Sequence, residues 1–253
     1  MKKIFTIVIL LFFLINLQYK LSGQGFDWQY SPRLPFETPT FFVGLNGNLA
    51  YYLHNGSIDF REIYKCCTFT YGAGFGSIFG INAEYWQTAT IALSGSLSYM
   101  TVTGDFEADG EALPVYPSGL FYYKNEFNTK LSYITVEMDA KYRLFLTHFF
   151  AGVGIRLGFL VSNKSEFFEK IVSPPEARFN DGSQKRTIAN GIISDIQPIF
   201  FTPKLNLGYD LNLGLGTYST ISLSAGLPII NISKDSEWLS WIFQLNIKIF
   251  RGW

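Results

Sequence analysis

Leu131-Ser132-Tyr133-Ile134-Thr135-Val136-Glu137-Met138-Asp139-Ala140-Lys141-Tyr142-Arg143-Leu144 is followed, after a short turn, by Phe149-Phe150-Ala151-Gly152-Val153-Gly154-Ile155-Arg156-Leu157-Gly158-Phe159-Leu160-Val161. In the first run Ile134, Val136, Met138, Ala140 and Tyr142 fall on one side of a two-residue period, and Glu137, Asp139, Lys141 and Arg143 on the other. In the second run Phe149, Val153, Ile155, Leu157, Phe159 and Val161 share a side, and Arg156 lies opposite them among glycines. A period of two is a strand signal, because successive side chains leave a pleated strand on opposite faces. A strand that is apolar on one face and ionic on the other suits a wall between lipid and a polar lumen.

The same rhythm recurs along the chain. Eight segments alternate, at about 41–54, 67–85, 89–103, 131–144, 149–161, 199–213, 217–229 and 239–251. On their apolar face we place Val43, Leu45, Leu49, Tyr51 and Leu53, then Phe69, Tyr71, Phe75, Phe79, Ile81 and Tyr85, and so on to Trp241, Phe243, Leu245, Ile247 and Ile249. That face is read as free of Asp, Glu, Lys and Arg. The other face carries Glu84, Glu137, Asp139, Lys141, Arg143, Arg156, Lys204, Asp210 and Lys248. A lysine or arginine facing lipid at mid-bilayer costs ~2–4 kcal/mol, which accounts for such a division. Short connections near 86–88, 145–147 and 214–216 alternate with long ones at 55–66, 104–128, 162–198 and 230–238. Short turns on one side and long loops on the other are the habit of outer-membrane barrels. The expected fold is therefore all-β, an eight-stranded antiparallel up-and-down transmembrane β-barrel over 41–253, with both termini on the periplasmic, short-turn side. A soluble barrel with an apolar interior is the fold alternative, since alternation alone does not say which face is outside.

The ends fit a protein sent to that membrane. Met1-Lys2-Lys3 precedes an apolar run of 14 residues from Ile4 to Leu17, shorter than the ~20 that a spanning helix requires. With Ser22 and Gly23 beyond it, residues 1–23 read as a secretory signal peptide, a retained anchor being the alternative. Residues 24–40 become a periplasmic N-terminal segment. Trp253 directly follows the last strand; an aromatic end on an amphipathic strand suits recognition by the outer-membrane assembly machinery, and a girdle aromatic is the plainer reading. Net charge is zero, with 20 acidic and 20 basic residues, so no basic patch points to nucleic acid. Aromatic residues make up 18% of the chain, which suits the interfacial girdles of a barrel in contact with outer-membrane lipid.

The stretch Leu131-Ser132-Tyr133-Ile134-Thr135-Val136-Glu137, through Lys141-Tyr142-Arg143 and Phe150-Ala151-Gly152-Val153-Gly154, resembles the central hairpin of the PorT-like and other small outer-membrane β-barrels of Bacteroidetes and their relatives. The resemblance implies an eight-stranded barrel in the outer membrane of a Gram-negative bacterium. Some relatives carry a peptidoglycan-binding domain after the barrel, and one class supports secretion. No motif here assigns either role to particular residues.

Three groups of residues are candidates for function. The inward ions, four acids and five bases, are close to balance, which favours an ion-paired plug over a selective pore lined by one sign of charge. If the turn is Phe145–His148, Glu137 falls opposite Arg156. The long connections are the second group: Phe106, Tyr116, Phe121, Tyr122, Tyr123 and Phe127 in 104–128 form an expected loop surface for an outer-membrane partner or an external ligand. The third group is His54 with Ser57, Asp59 and Glu62, a weak arrangement for acyl transfer on outer-leaflet lipid. Cys66 and Cys67 are adjacent and too few for a zinc site. The expectation is a non-enzymatic barrel without cofactor or metal, its closed lumen carrying external loops that bind a partner, as an accessory of a secretion or surface complex. A small-solute channel is the main alternative, and a lipid-modifying enzyme the next.

Overall fold

A computed structural model describes residues 41–59, 68–88, 90–110, 112–115, 119–144, 147–214 and 216–252. The expected signal peptide, the segment 24–40, Glu62, Cys66, Cys67, Tyr116 and Trp253 lie outside them. Ten strands are described: β1 (Phe41–Asp59), β2 (Thr68–Trp86), β3 (Ile91–Asp109), β4 (Leu113–Val115), β5 (Gly119–Arg143), β6 (Phe149–Ser173), β7 (Lys185–Gly191), β8 (Ile199–Gly214), β9 (Thr217–Gly226) and β10 (Glu237–Gly252). Eight of them close a ring in the order β1-β2-β3-β5-β6-β8-β9-β10, with β10 pairing back to β1. Every pairing is antiparallel. The strands β4 and β7 lie outside the ring, against the far ends of β5 and β6. Closure matters physically: a ring has no free edge, so the strand backbones satisfy one another, as a hydrocarbon surrounding demands.

The faces divide as the alternation requires. Ile134, Val136, Met138 and Tyr142 are exposed on the outside, while Glu137, Asp139, Lys141 and Arg143 are buried in the lumen. Around the ring Leu45, Leu49, Phe75, Phe79, Leu97, Val153, Leu207, Leu223 and Leu245 stand outward, Phe75 at 75% exposure. No single apolar patch of this extent is ordinary on a water-soluble monomer. Tyr85, Tyr142 and Phe149 border this belt near the short turns, and Tyr71, Tyr99 and Trp241 border its other side. One cation breaks the expected rule of an uncharged outer face. Arg251 points outward at the end of β10, below the belt, where its guanidinium donates to Thr217 Oγ1 at 3.0 Å.

The strands are longer than the sequence alternation suggests, and the expected loops 104–128 and 162–198 are largely strand. β5 and β6 are 25 residues each, about 80 Å at ~3.3 Å per residue. Tilted at ~45° they rise roughly 55 Å, twice the ~25 Å apolar band of a barrel wall. The excess stands above the belt, on the side away from the short turns. There the pleat continues but its contents exchange places. Along β3 the even positions face inward throughout; below they are Ala92, Ser96 and Ser98, above they are Met100, Val102 and Phe106. The outward positions pass from Leu93, Leu97 and Tyr99 to Thr101, Thr103, Asp105 and Glu107. β5 does the same, with Phe127 and Leu131 inside and Glu126, Asn128 and Lys130 outside. The lower half is built for lipid outside and the upper half for water outside.

Bulges account for the positions where a strict two-residue count fails. The register slips between Ser132 and Tyr133 leave Val161 as an extra residue in β6, so the inward set changes from even to odd numbers above it. A slip between Asn55 and Ile58 accompanies the turn of Phe69 into the interior, against its expected outward place. Trp86 and Trp238 are buried inside the barrel.

The belt has a direct test. Leu223 lies mid-belt, between Leu207 and Leu245 in register. Leu223→Arg is expected to lower unfolding stability by about 2–4 kcal/mol in lipid vesicles. Asn128→Arg, outward on the upper wall, is expected to stay within about 0.5 kcal/mol. Urea titration followed by tryptophan emission measures both.

Candidate functional site: the filled lumen and the upper barrel

Above an aromatic mouth, three layers fill the interior. At the short-turn mouth Phe42, Tyr218 and Phe250 pack together, the Tyr218 and Phe250 rings stacked at 4.9 Å. Directly above lies a first ion cluster. Lys141 Nζ is 2.7 Å from Asp210 Oδ1 and 3.6 Å from Glu84 Oε1, and Arg143 Nη2 is 3.3 Å from Asp210 Oδ2. Tyr218 donates its hydroxyl to Glu84, and Thr220 donates to Asp210 at 2.7 Å. The cations also lie over rings, Lys141 at 4.3 Å from Phe150 and Arg143 at 3.9 Å from Trp86. These contacts stabilise a charge removed from water.

A second cluster occupies the middle. The β5–β6 register sets Glu137 opposite Arg156, whose Nε donates to Glu137 Oε1 at 2.7 Å. Lys204 pairs with the other Glu137 oxygen and lies 3.0 Å from Asp139 Oδ2. Lys248 reaches Asp139 at 3.8 Å, Asn206 donates to Asp139 Oδ1 at 3.1 Å, and Arg156 Nη2 donates to Gln244 at 2.8 Å. Gly154 makes this packing possible, since a side chain there would run into the Asp139 carboxylate. All nine residues expected on the charged face thus enter one of two clusters. The void among them measures about 20 Å³, room for roughly one water.

The third layer is apolar and belongs to the upper barrel. Ile58, Phe69, Met100, Val102, Phe106, Phe127, Leu131, Phe167 and Trp238 form its core. Phe69, Phe106, Phe127 and Phe167 meet through ring contacts with centroids 5.7–6.3 Å apart, a separation at which aromatic pairs attract. The segments 192–198 and 227–236 fold over this core, contributing buried Ile193, Ile196 and Ile232. Asp195 holds them together, accepting from Ser233 Oγ and from the Asp235 amide at 3.1 Å. The two-residue count does not reveal this core because it seeks apolar residues on one fixed face, and here they lie on the other.

His54 belongs to that layer. It is fully buried between Tyr52, Phe106 and Trp238. Trp238 Nε1 donates to His54 Nδ1 at 3.1 Å, and His54 Nε2 donates to the Thr103 carbonyl at 2.9 Å. Both ring nitrogens are engaged, so His54 has no lone pair with which to activate Ser57, whose side chain is exposed opposite Glu237. The acyl-transfer arrangement is not assembled by these residues. Side chains of Asp59 and Glu62 lie outside the described residues. Among the described residues no group of three or more His, Cys, Asp or Glu has metal-binding geometry.

The expected loop surface is also revised. Phe106 and Phe127 are buried in the core, because their strand positions face inward. Phe121 and Tyr123 are half-buried. Tyr122 is exposed at the upper end of the wall, where β5 begins and β6 ends, beside exposed Leu120 and Val172.

No family model and no curated protein matches the sequence, so the PorT-like resemblance stands as an expectation. Several solved structures resemble the fold at low scores. Neisserial surface protein A is 10% identical, covering 85% of this chain and 97% of its own, with a TM-score of 0.36. The outer membrane protease OmpT from Escherichia coli is 7% identical, covering 89% and 100%, at 0.36. The outer membrane protein OprG from Pseudomonas aeruginosa is 11% identical, covering 85% and 98%, at 0.34. Likeness of this degree carries no argument about function.

The ion clusters have a measurable weight. Glu137→Ala strands Arg156 and Lys204 together in a buried site. It is expected to lower unfolding stability by about 3–5 kcal/mol, as for other broken buried pairs. Lys248→Ala, whose closest carboxylate is at 3.8 Å, is expected to cost about 1 kcal/mol or less. Urea unfolding in lipid vesicles distinguishes the two.

Proposed function

We propose that this protein is an integral outer-membrane barrel that conducts nothing and catalyses nothing, and that its projecting upper wall serves as a binding platform. The observation that carries the reading is the filled lumen. Two ion clusters and an aromatic core follow one another along the axis, and the voids described within them hold about 20 Å³ each. An eight-stranded interior is just wide enough for side chains to fill. A pathway would need these layers to part. The location is supported by the apolar belt, its aromatic borders and the closed ring. Both described ends of the ring, Phe42 and Gly252, pair at the short-turn end; in the proposed orientation that end is periplasmic and the upper wall is external. Tyr122, Leu120 and Val172 at the upper end of the wall offer an apolar contact for a protein partner.

Planar-bilayer recording tests the closed lumen. The purified barrel is expected to show no stable conductance across the physiological voltage range. Phe127→Ala and Glu137→Ala are each expected to remain silent, since the other layer still closes the path. Steady unitary currents from the wild type, altered by Arg156→Ala, establish the channel alternative instead. Extraction of the protein from cells without detergent removes the outer-membrane assignment.

A further inference from the structure

Four outward cations of the upper wall sit in ion pairs. Lys124 lies 3.1 Å from Glu107, Lys185 and Lys170 lie 2.6 and 3.5 Å from Glu126, and Arg186 lies 2.8 Å from Glu169. Lower down, Lys130 of β5 and Lys164 of β6 are direct cross-strand partners, and both are exposed. Neither has a carboxylate within 4.0 Å among the described residues. Like charges directly opposite on a sheet are unfavourable. The outward carboxylates of the next row, Asp105 and Glu166, offset part of that repulsion without coming within 4.0 Å of either ammonium, and an anion seated between the two ammonium groups removes the rest.

Their height selects the kind of anion. Lys130 is four positions above Ile134, and Lys164 is three above Val161; both apolar residues are exposed on the outer face. Four residues at ~3.3 Å each, tilted at ~45°, rise about 9 Å. With about 7 Å for Lys164, the two backbones stand at the outer edge of a headgroup layer roughly 5–8 Å thick, and the flexible lysine stems reach down to place the ammonium groups within it. A trough of about 740 Å³ opens beside Lys164, lined by Leu160, Val161, Asn163, Glu166, Ile192 and Ile193. It exists because the neighbour of β6 changes there. Pairing with β8 ends at Phe159–Ile199, and pairing with β7 begins at Ser165–Gly191. Ile192 is 77% exposed at its side. Its lower wall is apolar and continuous with the belt. Glu166 stands on the water side and confines an anion to the lysines below.

Resting on the outer-membrane reading above, we infer that Lys130 and Lys164 bind a phosphate of an outer-leaflet lipid headgroup, with the upper part of an acyl chain lying in the trough against Val161 and Ile192. A lysine near a charged lipid surface contributes ~1 kcal/mol, or about fivefold, so two lysines give about 30-fold.

Native mass spectrometry of the detergent-purified barrel tests this with monophosphoryl lipid A and the same lipid after enzymatic dephosphorylation. The phosphorylated form is expected to bind about 30-fold more tightly. K130Q/K164Q is expected to lose that preference and to gain resistance to urea in lipid-free detergent. K130R/K164R is expected to keep the preference, which separates lost charge from lost folding. Equal binding of both lipids by the wild type overturns the inference, as does an unchanged preference in the double glutamine variant. Full displacement by inorganic phosphate also overturns it, because the ligand is then a soluble anion. Failure of the underlying reading is a separate result: the protein would be extracted without detergent.

Discussion

Hydrocarbon admits neither a charge nor an unpaired backbone group, and the architecture follows from satisfying both demands in one sheet. Ring closure from β5 to β6 and from β10 to β1 removes the edges. The pleat then offers two faces, and the membrane dictates which may be ionic. Glu137, Asp139, Lys141 and Arg143 face the lumen because Ile134, Val136, Met138 and Tyr142 must face lipid. The buried ions must then find partners, and the register supplies them: Arg156 opposite Glu137, and Lys204 one strand further on. The plug is a consequence of the wall.

Above the belt the outer solvent changes, and the same geometry carries the opposite pattern. Water outside lets Asp105, Glu107, Glu126 and Lys130 face outward, and the interior becomes an ordinary hydrophobic core around Phe106, Phe127 and Trp238. His54 marks the transition. It is a polar group placed among aromatic rings, made acceptable by one donated and one accepted hydrogen bond. The molecule is thus one continuous barrel with two interiors, polar where lipid surrounds it and apolar where water does.

This inversion explains what could be read from the sequence. The eight wall strands, their order and the Glu137–Arg156 register were legible because one rule, apolar outward at every second residue, holds through the belt. Phe106 and Phe127 escape that rule, and so look like loop surface, because they obey the complementary one in strands that continue past the belt. Phe69 was misassigned by a bulge, which no fixed period can follow. The pairing of Lys130 with Lys164 was invisible as well, since it depends on the extra residue at Val161.

Spin labels at the outward positions 126, 128, 130, 134, 136, 138 and 142 of β5, in a nanodisc, test the account most directly. Collision with oxygen, which concentrates in lipid, is compared with collision with a water-soluble nickel chelate. Labels at 134–142 are expected to favour oxygen and those at 126–130 to favour nickel, with the crossover between 130 and 134. Nickel access at every position would show a barrel standing in water, and oxygen access continuing to 126 would show that the upper wall is not external.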